Sequence, residues 1–310
     1  MIVQFLLLLL GLALIVFGAD WLVDGSSAIA RKAGISEFVI GLTIVGFGTS
    51  CPELVVSLTG ALQGNADISV GNVVGSNVFN TLLILGLTAV IAPVAVTRSN
   101  RRRDIPIALL VTFLFAAFAL TGTQITRVEG IVFLLVFAAY MFYCFKSDQG
   151  AEEAAEEKVR SLFMAILLVL AGLAGLIFGG QLFVNNATAI ARAVGVSDKF
   201  IAITLLAGGT SFPELATCIV AAAKKKDQLA LGNVLGSNVF NILLILGTSA
   251  VVTPLSTLAL TWVDLGVLLA SAALIWLWTY TGHRDRIDRW EAILMLLLFF
   301  GYYTWLFVKL

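Results

Sequence analysis

The chain has 310 residues, 60% of them hydrophobic and only 12% charged, with zero formal net charge and a mean hydropathy of +1.02. A soluble domain carries roughly 25% charged residues, so the composition excludes a water-soluble globular protein, and the zero net charge gives no handle for nucleic acid or any other polyanion. The three cysteines (Cys51, Cys144, Cys218) lie in apolar stretches with no CxxC or Cys/His spacing, which points to neither a disulfide framework nor a zinc site.

Apolar runs of about 18 residues or more, the length that crosses a bilayer, recur along the whole chain. They predict ten spans, at 2–24, 38–62, 70–92, 105–121, 126–145, 162–184, 199–222, 229–252, 262–281 and 290–308. The first run is preceded by no Lys or Arg, no small-x-small cleavage site follows it cleanly, and it has a counterpart at 162–178; it is read as a permanent span, not a signal peptide. The one long polar break, KSDQGAEEAAEEKVR at 146–160, is a solvated linker at the centre of the chain. Of the 19 Lys and Arg, 15 fall in the loops after spans 1, 3, 5, 7 and 9. Positive charge marks the cytoplasmic side. Both termini are therefore expected to be extracytoplasmic, in a multi-pass protein of the plasma (inner) membrane.

A shift of 161 residues superposes the halves without gaps from about residue 5 to residue 90. Gly75–Gly86 (GSNVFNTLLILG) and Gly236–Gly247 (GSNVFNILLILG) agree at 11 of 12 positions, and AIARKAGIS from Ala28 answers AIARAVGVS from Ala189. Each half holds five spans, an odd number, so the second enters the membrane with opposite topology. The predicted fold is an all-α integral membrane protein of ten transmembrane helices in two inverted five-helix repeats, 1–145 and 161–310, joined by the cytoplasmic linker 146–160. Many secondary transporters are built this way; channels and membrane enzymes are also found with internal symmetry.

Span 2 contains Gly46-Phe47-Gly48-Thr49-Ser50-Cys51-Pro52-Glu53-Leu54, and span 7 contains Ala207-Gly208-Gly209-Thr210-Ser211-Phe212-Pro213-Glu214-Leu215. Glycine and proline together interrupt a helix, and freed carbonyls in hydrocarbon must line a cavity or find another ligand. Beside them stand the hydroxyls of Thr49, Ser50, Thr210 and Ser211 and the two acids placed deep in spans, Glu53 and Glu214. An ionised carboxylate at such depth costs on the order of 3 kcal/mol even on lenient scales, and two at equivalent repeat positions mark a functional site. Asp20 and Asp24 are weaker candidates, because their repeat partners are Gln181 and Asn185 and they lie near a span end.

In spans 3 and 8, Ser76 with Asn80 and Ser237 with Asn241 share helix faces by their four-residue spacing. Gly71, Gly75, Gly232 and Gly236 give GxxxG spacings that let helices approach closely. Two carboxylates, two amides and up to six hydroxyls are hard oxygen ligands, suited to Ca²⁺ and also to Na⁺. Softer metals call for Cys or His, and here Cys51 and Cys218 are not repeat-equivalent and His283 lies in a loop.

GTSCPEL with GNVVGSNVFN, and GTSFPEL with GNVLGSNVFN, closely resemble the α-repeats of the sodium/calcium exchanger family, within the cation/calcium exchanger superfamily and nearest its prokaryotic members. The resemblance implies an antiporter, not an enzyme, with no cofactor and no obligate protein partner, moving Ca²⁺ and Na⁺ by alternating access. It implies that Glu53 and Glu214 are shared by both ions. Thr49, Ser50 and Ser76 then serve a sodium position nearer one side, and Thr210, Ser211 and Ser237 its equivalent nearer the other. The carbonyls of Gly46 and Ala207 contribute, and Asn80 and Asn241 line the centre. Several relatives carry Asp where this chain has Asn241, and potassium-dependent exchangers use an acid there; Asn implies potassium-independent exchange. Proton/calcium exchange is the alternative coupling, and a passive cation channel the alternative class.

Overall fold

The computed structural model describes residues 1–64, 66–148, 161–195, 208–281, 283 and 285–309. In chain order its main helices are α1 (Ile2–Ala33), α2 (Glu37–Thr49), α3 (Cys51–Leu62), α4 (Asp67–Ile91), α5 (Asn100–Thr121), α6 (Arg127–Lys146), α7 (Leu162–Ala193), α8 (Phe212–Ala223), α9 (Asp227–Val252), α10 (Trp262–Trp278) and α11 (Arg289–Val308). Seven of these (α1, α4, α5, α6, α7, α9 and α11) are long and apolar enough to cross a membrane, and α2 with α3 is so only when the two, bent by 47°, are taken together. Of the other predicted spans, α10 is a shorter apolar helix, and α8 is the second part of span 7, whose beginning (199–207) lies outside the described residues. Most of the linker, 149–160, also lies outside them.

The helices stop where their sequences require it. Gly34 takes the left-handed conformation (φ 66°) and ends α1 by donating its N–H to carbonyls of the last turn. Thr126 and Glu129 form a reciprocal capping box at the start of α6.

The innermost helices are α4 and α9, most of whose residues are buried, whereas α1, α6, α7 and α11 present rows of exposed Leu, Ile and Phe outward. Such an outer surface suits lipid. α4 and α9 run antiparallel and cross at their middles. Ala95, just past the end of α4, donates its N–H to Asp227 at the start of α9 (2.9 Å), while Asn77 Nδ2 reaches the Asn238 carbonyl at 3.1 Å midway. Each widens into a π-helical turn at the same repeat position, Phe79–Ile84 and Phe240–Leu246.

α1 and α7 also lie antiparallel, with backbones touching. A Cβ on Gly18 would meet the Gly172 carbonyl at 2.8 Å and one on Gly179 the Gly11 carbonyl at 2.9 Å, so only glycine permits this approach. Gly232 and Gly236 of α9 do the same against the backbone of α2 at Phe38 and Leu42. Among the described residues nothing stands within 4 Å of a Cβ placed on Gly71 or Gly75.

Two two-residue strand pairs tie the ends, the only exceptions to the all-helical fold among the described residues. β1 (Val94–Ala95) pairs with β4 (Arg286–Ile287), and β2 (Gln124–Ile125) pairs with β3 (Leu255–Ser256), both antiparallel. β1 follows α4 and β3 follows α9, so the antiparallel course of those helices places the pairs at opposite ends of the molecule. The β1 end gathers five connections. Ser36 N–H bonds Asp148 (2.9 Å), Lys226 pairs with Glu37 (2.6 Å), Ala95 bonds Asp227, and Val96 N–H bonds the Asp285 carbonyl at 2.6 Å.

Candidate cation site

The α2–α3 bend falls at Ser50 (φ −83°, ψ 5°), and Ser211 before α8 has nearly the same backbone (φ −90°, ψ 5°). Pro52 and Pro213 lie in the first turn of the helix that follows. Having no N–H, each leaves the carbonyl four residues earlier, Gly48 or Gly209, without its usual helical donor. Glu53 and Glu214 occupy the same first turns, where unpaired N–H groups and the helix dipole favour negative charge. Both are fully buried, at 0% exposure.

Hydrogen bonds cross between the halves. Ser50 Oγ donates to Glu214 Oε1 at 3.0 Å, and Ser211 Oγ donates to Glu53 Oε1 at 3.1 Å. From the inner helices, Ser76 Oγ stands 3.5 Å from Glu53 Oε1 and Ser237 Oγ 3.4 Å from Glu214 Oε1. Ser237 Oγ also lies 3.4 Å from the Gly46 carbonyl, and Thr49 Oγ1 donates to Asn233 Oδ1 at 3.1 Å. Each carboxylate thus uses one oxygen for two serines, one from its own half and one from the other.

The second oxygens have no partner among the described residues. Glu53 Oε2, Glu214 Oε2, Asn80 Oδ1 and Asn241 Oδ1 are buried there with no hydrogen bond. Leaving a buried acceptor unsatisfied costs about 1–3 kcal/mol, more when it is charged. The four are repeat-equivalent pairs, two carboxyl oxygens and two amide oxygens. A cation satisfies such a set, and the set is all oxygen, the preference of Ca²⁺ and Na⁺. Among the described residues no group of three or more His, Cys, Asp and Glu gathers anywhere. The carboxylates of Glu53 and Glu214, with neutral oxygens around them, form a buried donor set suited to a hard cation.

The structure brings together Glu53, Glu214, Ser50, Ser211, Ser76, Ser237, Thr49 and Gly46, with Asn80 and Asn241 at the adjoining α4–α9 crossing. Thr210 adjoins Ser211, and Ala207 lies outside the described residues. Ser76 shares Glu53 with Ser211, and Ser237 shares Glu214 with Ser50. Each serine at a helix break thus reaches the glutamate of the other half of the chain, which a chain-order reading does not show. Asp20 and Asp24 stand apart from the carboxylate pair, both held by Lys224 at 2.6 Å.

Sequence reasoning missed the asparagines behind the ligands. Asn77 Oδ1 accepts from Asn241 Nδ2 (2.9 Å) and Asn238 Oδ1 accepts from Asn80 Nδ2 (3.2 Å). Asn233 bonds Thr49 and the Cys218 thiol, whereas its counterpart Asn72 bonds Ser57 and the Glu53 carbonyl. The signal was present, since all four asparagines recur at the 161-residue offset.

The family model described as "Sodium/calcium exchanger protein" matches residues 3–146 and 164–308. The putative antiporter CaxA of Alkalimonas amylolytica is 40% identical over 99% of each chain. The sodium/calcium exchanger MaX1 of Methanosarcina acetivorans is 33% identical, covering 98% of this chain and 99% of the relative. Among solved structures, the sodium-calcium exchanger NCX_Mj soaked with zero Na⁺ and Ca²⁺ superposes with a TM-score of 0.87 at 34% identity, over 98% of this chain and 99% of the other. With both halves of the chain matched and the buried oxygen set in place between them, this multi-pass membrane protein belongs to the sodium/calcium exchanger family.

Proposed function

We propose that this protein is a secondary active antiporter exchanging Na⁺ for Ca²⁺ at a site centred on Glu53 and Glu214. The observation that carries this reading is the set of buried acceptors Glu53 Oε2, Glu214 Oε2, Asn80 Oδ1 and Asn241 Oδ1, which have no partner among the described residues. Thr49, Ser50, Ser76, Thr210, Ser211, Ser237 and the carbonyls of Gly46 and Ala207 complete the ligand set. Two carboxylates neutralise one Ca²⁺; sodium ions entering the same oxygens displace it, so the loaded states exclude each other. If more than two Na⁺ replace one Ca²⁺, each cycle moves net charge, worth about 2.3 kcal/mol per charge per 100 mV. Asn at position 241 leaves no third acid for K⁺, and exchange is potassium-independent on this reading. No cofactor, obligate protein partner or catalysed reaction is part of it.

The architecture proposed is ten spans in two inverted five-helix units, 1–145 and 161–310, joined by the linker 146–160. In support, α4 and its counterpart α9 run antiparallel, as do α1 and α7, and β1·β4 is answered at the other end by β3·β2. The loops after spans 1, 3, 5, 7 and 9 meet at one end, and these hold 15 of the 19 basic residues. That end is cytoplasmic and both termini extracytoplasmic, in the plasma (inner) membrane. Inward- and outward-facing states interconvert as α1 and α7, joined by their glycine seam, slide across the remainder.

The test is ⁴⁵Ca²⁺ uptake into proteoliposomes loaded with Na⁺, K⁺ or acidic buffer. Uptake only with an outward Na⁺ gradient is the expected result. Uptake driven by a proton gradient replaces the coupling ion, and entry with no counter-ion makes the protein a channel.

A further inference from the structure

We propose that Asn77 and Asn238 are positioning residues that fix which end of the Asn241 and Asn80 amides faces the cation, each acting on the asparagine of the other half. The inference rests on the ion site proposed above. A primary amide has nearly the same shape either way round, but its oxygen attracts a cation and its NH₂ repels one. An unrestrained Asn beside the carboxylates would lose binding free energy whenever the NH₂ turned inward.

Here the choice is made by the helix behind. Asn241 Nδ2 donates to Asn77 Oδ1 at 2.9 Å, which leaves Asn241 Oδ1 buried with no partner among the described residues. Asn80 Nδ2 donates to Asn238 Oδ1 at 3.2 Å, which leaves Asn80 Oδ1 in the same condition. The locks are themselves held. Asn77 Nδ2 donates to the Asn238 carbonyl (3.1 Å) and Asn238 Nδ2 to Thr81 Oγ1 (2.8 Å). Reversing Asn77 would set its NH₂ against that of Asn241 and leave the Asn238 carbonyl without this donor. Outer partners of this kind commonly change metal affinity by about 10–100-fold when removed. The locks differ in detail, because the counterpart of Thr81 is Ile242, which offers no hydroxyl.

The test uses a ligand that needs no lock. A carboxylate has two equivalent oxygens, so Asn241→Asp presents oxygen to the site whichever way it turns. Equilibrium ⁴⁵Ca²⁺ binding to purified protein is measured for wild type, Asn77→Leu, Asn241→Asp and the double variant, with Asn238→Leu and Asn80→Asp as the mirror set. Asn77→Leu is expected to weaken binding about tenfold or more in the wild-type background. In the Asn241→Asp background it should change affinity by no more than about twofold, the additivity error of such cycles. An equal loss in both backgrounds makes Asn77 a packing residue and overturns the proposal, as does no loss in either. If Asn77→Leu does not fold, Asn77→Asp, which keeps the acceptor, should bind at least as well as wild type; a tenfold loss there overturns the proposal. Failure of the underlying site is seen separately, as Ca²⁺ binding undiminished in Glu53→Gln and Glu214→Gln.

Discussion

Glu214→Gln keeps the shape of a fully buried side chain, removes its charge and replaces one of its two oxygens with an NH₂ group. Ser50 and Ser237 can still donate to the remaining oxygen, so their contacts at 3.0 and 3.4 Å need not be lost. Unit charges about 4 Å apart interact by about 4 kcal/mol at an effective dielectric of about 20. A divalent ion feels twice that and a monovalent ion once, so the substitution penalises Ca²⁺ over Na⁺ by about 4 kcal/mol per bound ion. Since each 1.4 kcal/mol is tenfold, the preference for Ca²⁺ over a single Na⁺ should fall by about a thousandfold. Displacement of ⁴⁵Ca²⁺ by Na⁺ on purified protein reads this ratio directly. Glu53→Gln should do the same, because the two carboxylates have matching partners. Equal weakening of both ions, or a large effect of one glutamate and none of the other, would refute the shared-carboxylate reasoning.

Ser50→Ala and Ser211→Ala each remove the shorter hydrogen bond to the opposite half's glutamate; bonds to charged groups are worth about 1.5–3 kcal/mol, and both variants should weaken apparent Ca²⁺ affinity about tenfold or more in uptake assays. Gly236→Ala drives a methyl into the Leu42 backbone and should cost about 1–3 kcal/mol of stability, seen as a lower unfolding midpoint in detergent, while Gly266→Ala, open around its Cα among the described residues, should not lower it. Lys224→Gln removes a partly exposed bridge to Asp20 and Asp24 and should shift stability by no more than about 1 kcal/mol, less still at high salt.

Hydropathy alone made the membrane class and most helices legible, because a bilayer admits few alternatives to long apolar helices. The break before Pro52 was legible for a similar reason, since proline acts locally whatever packs around it. Glu53 and Glu214 stood out because burying an acid in hydrocarbon is too costly to be incidental. What depends on one helix meeting another was not legible. The crossed sharing of Glu53 by Ser76 and Ser211 depends on how one half of the chain packs against the other. The roles of Asn77 and Asn238 need the antiparallel α4–α9 crossing, without which an asparagine beside Gly-Ser reads as helix glue. The glycine seam of α1 and α7 was hidden because glycine is common in membrane helices and only the partner shows which ones touch. The two-residue strands carry no periodic pattern to read.

The central claim is that one buried carboxylate pair couples sodium to calcium. It is tested most directly by ⁴⁵Ca²⁺ uptake driven by an outward Na⁺ gradient in proteoliposomes, comparing wild type with Glu53→Gln and Glu214→Gln reconstituted at equal density. The account predicts sodium-dependent uptake in the wild type and its loss in both variants. Uptake that persists in either variant would contradict it.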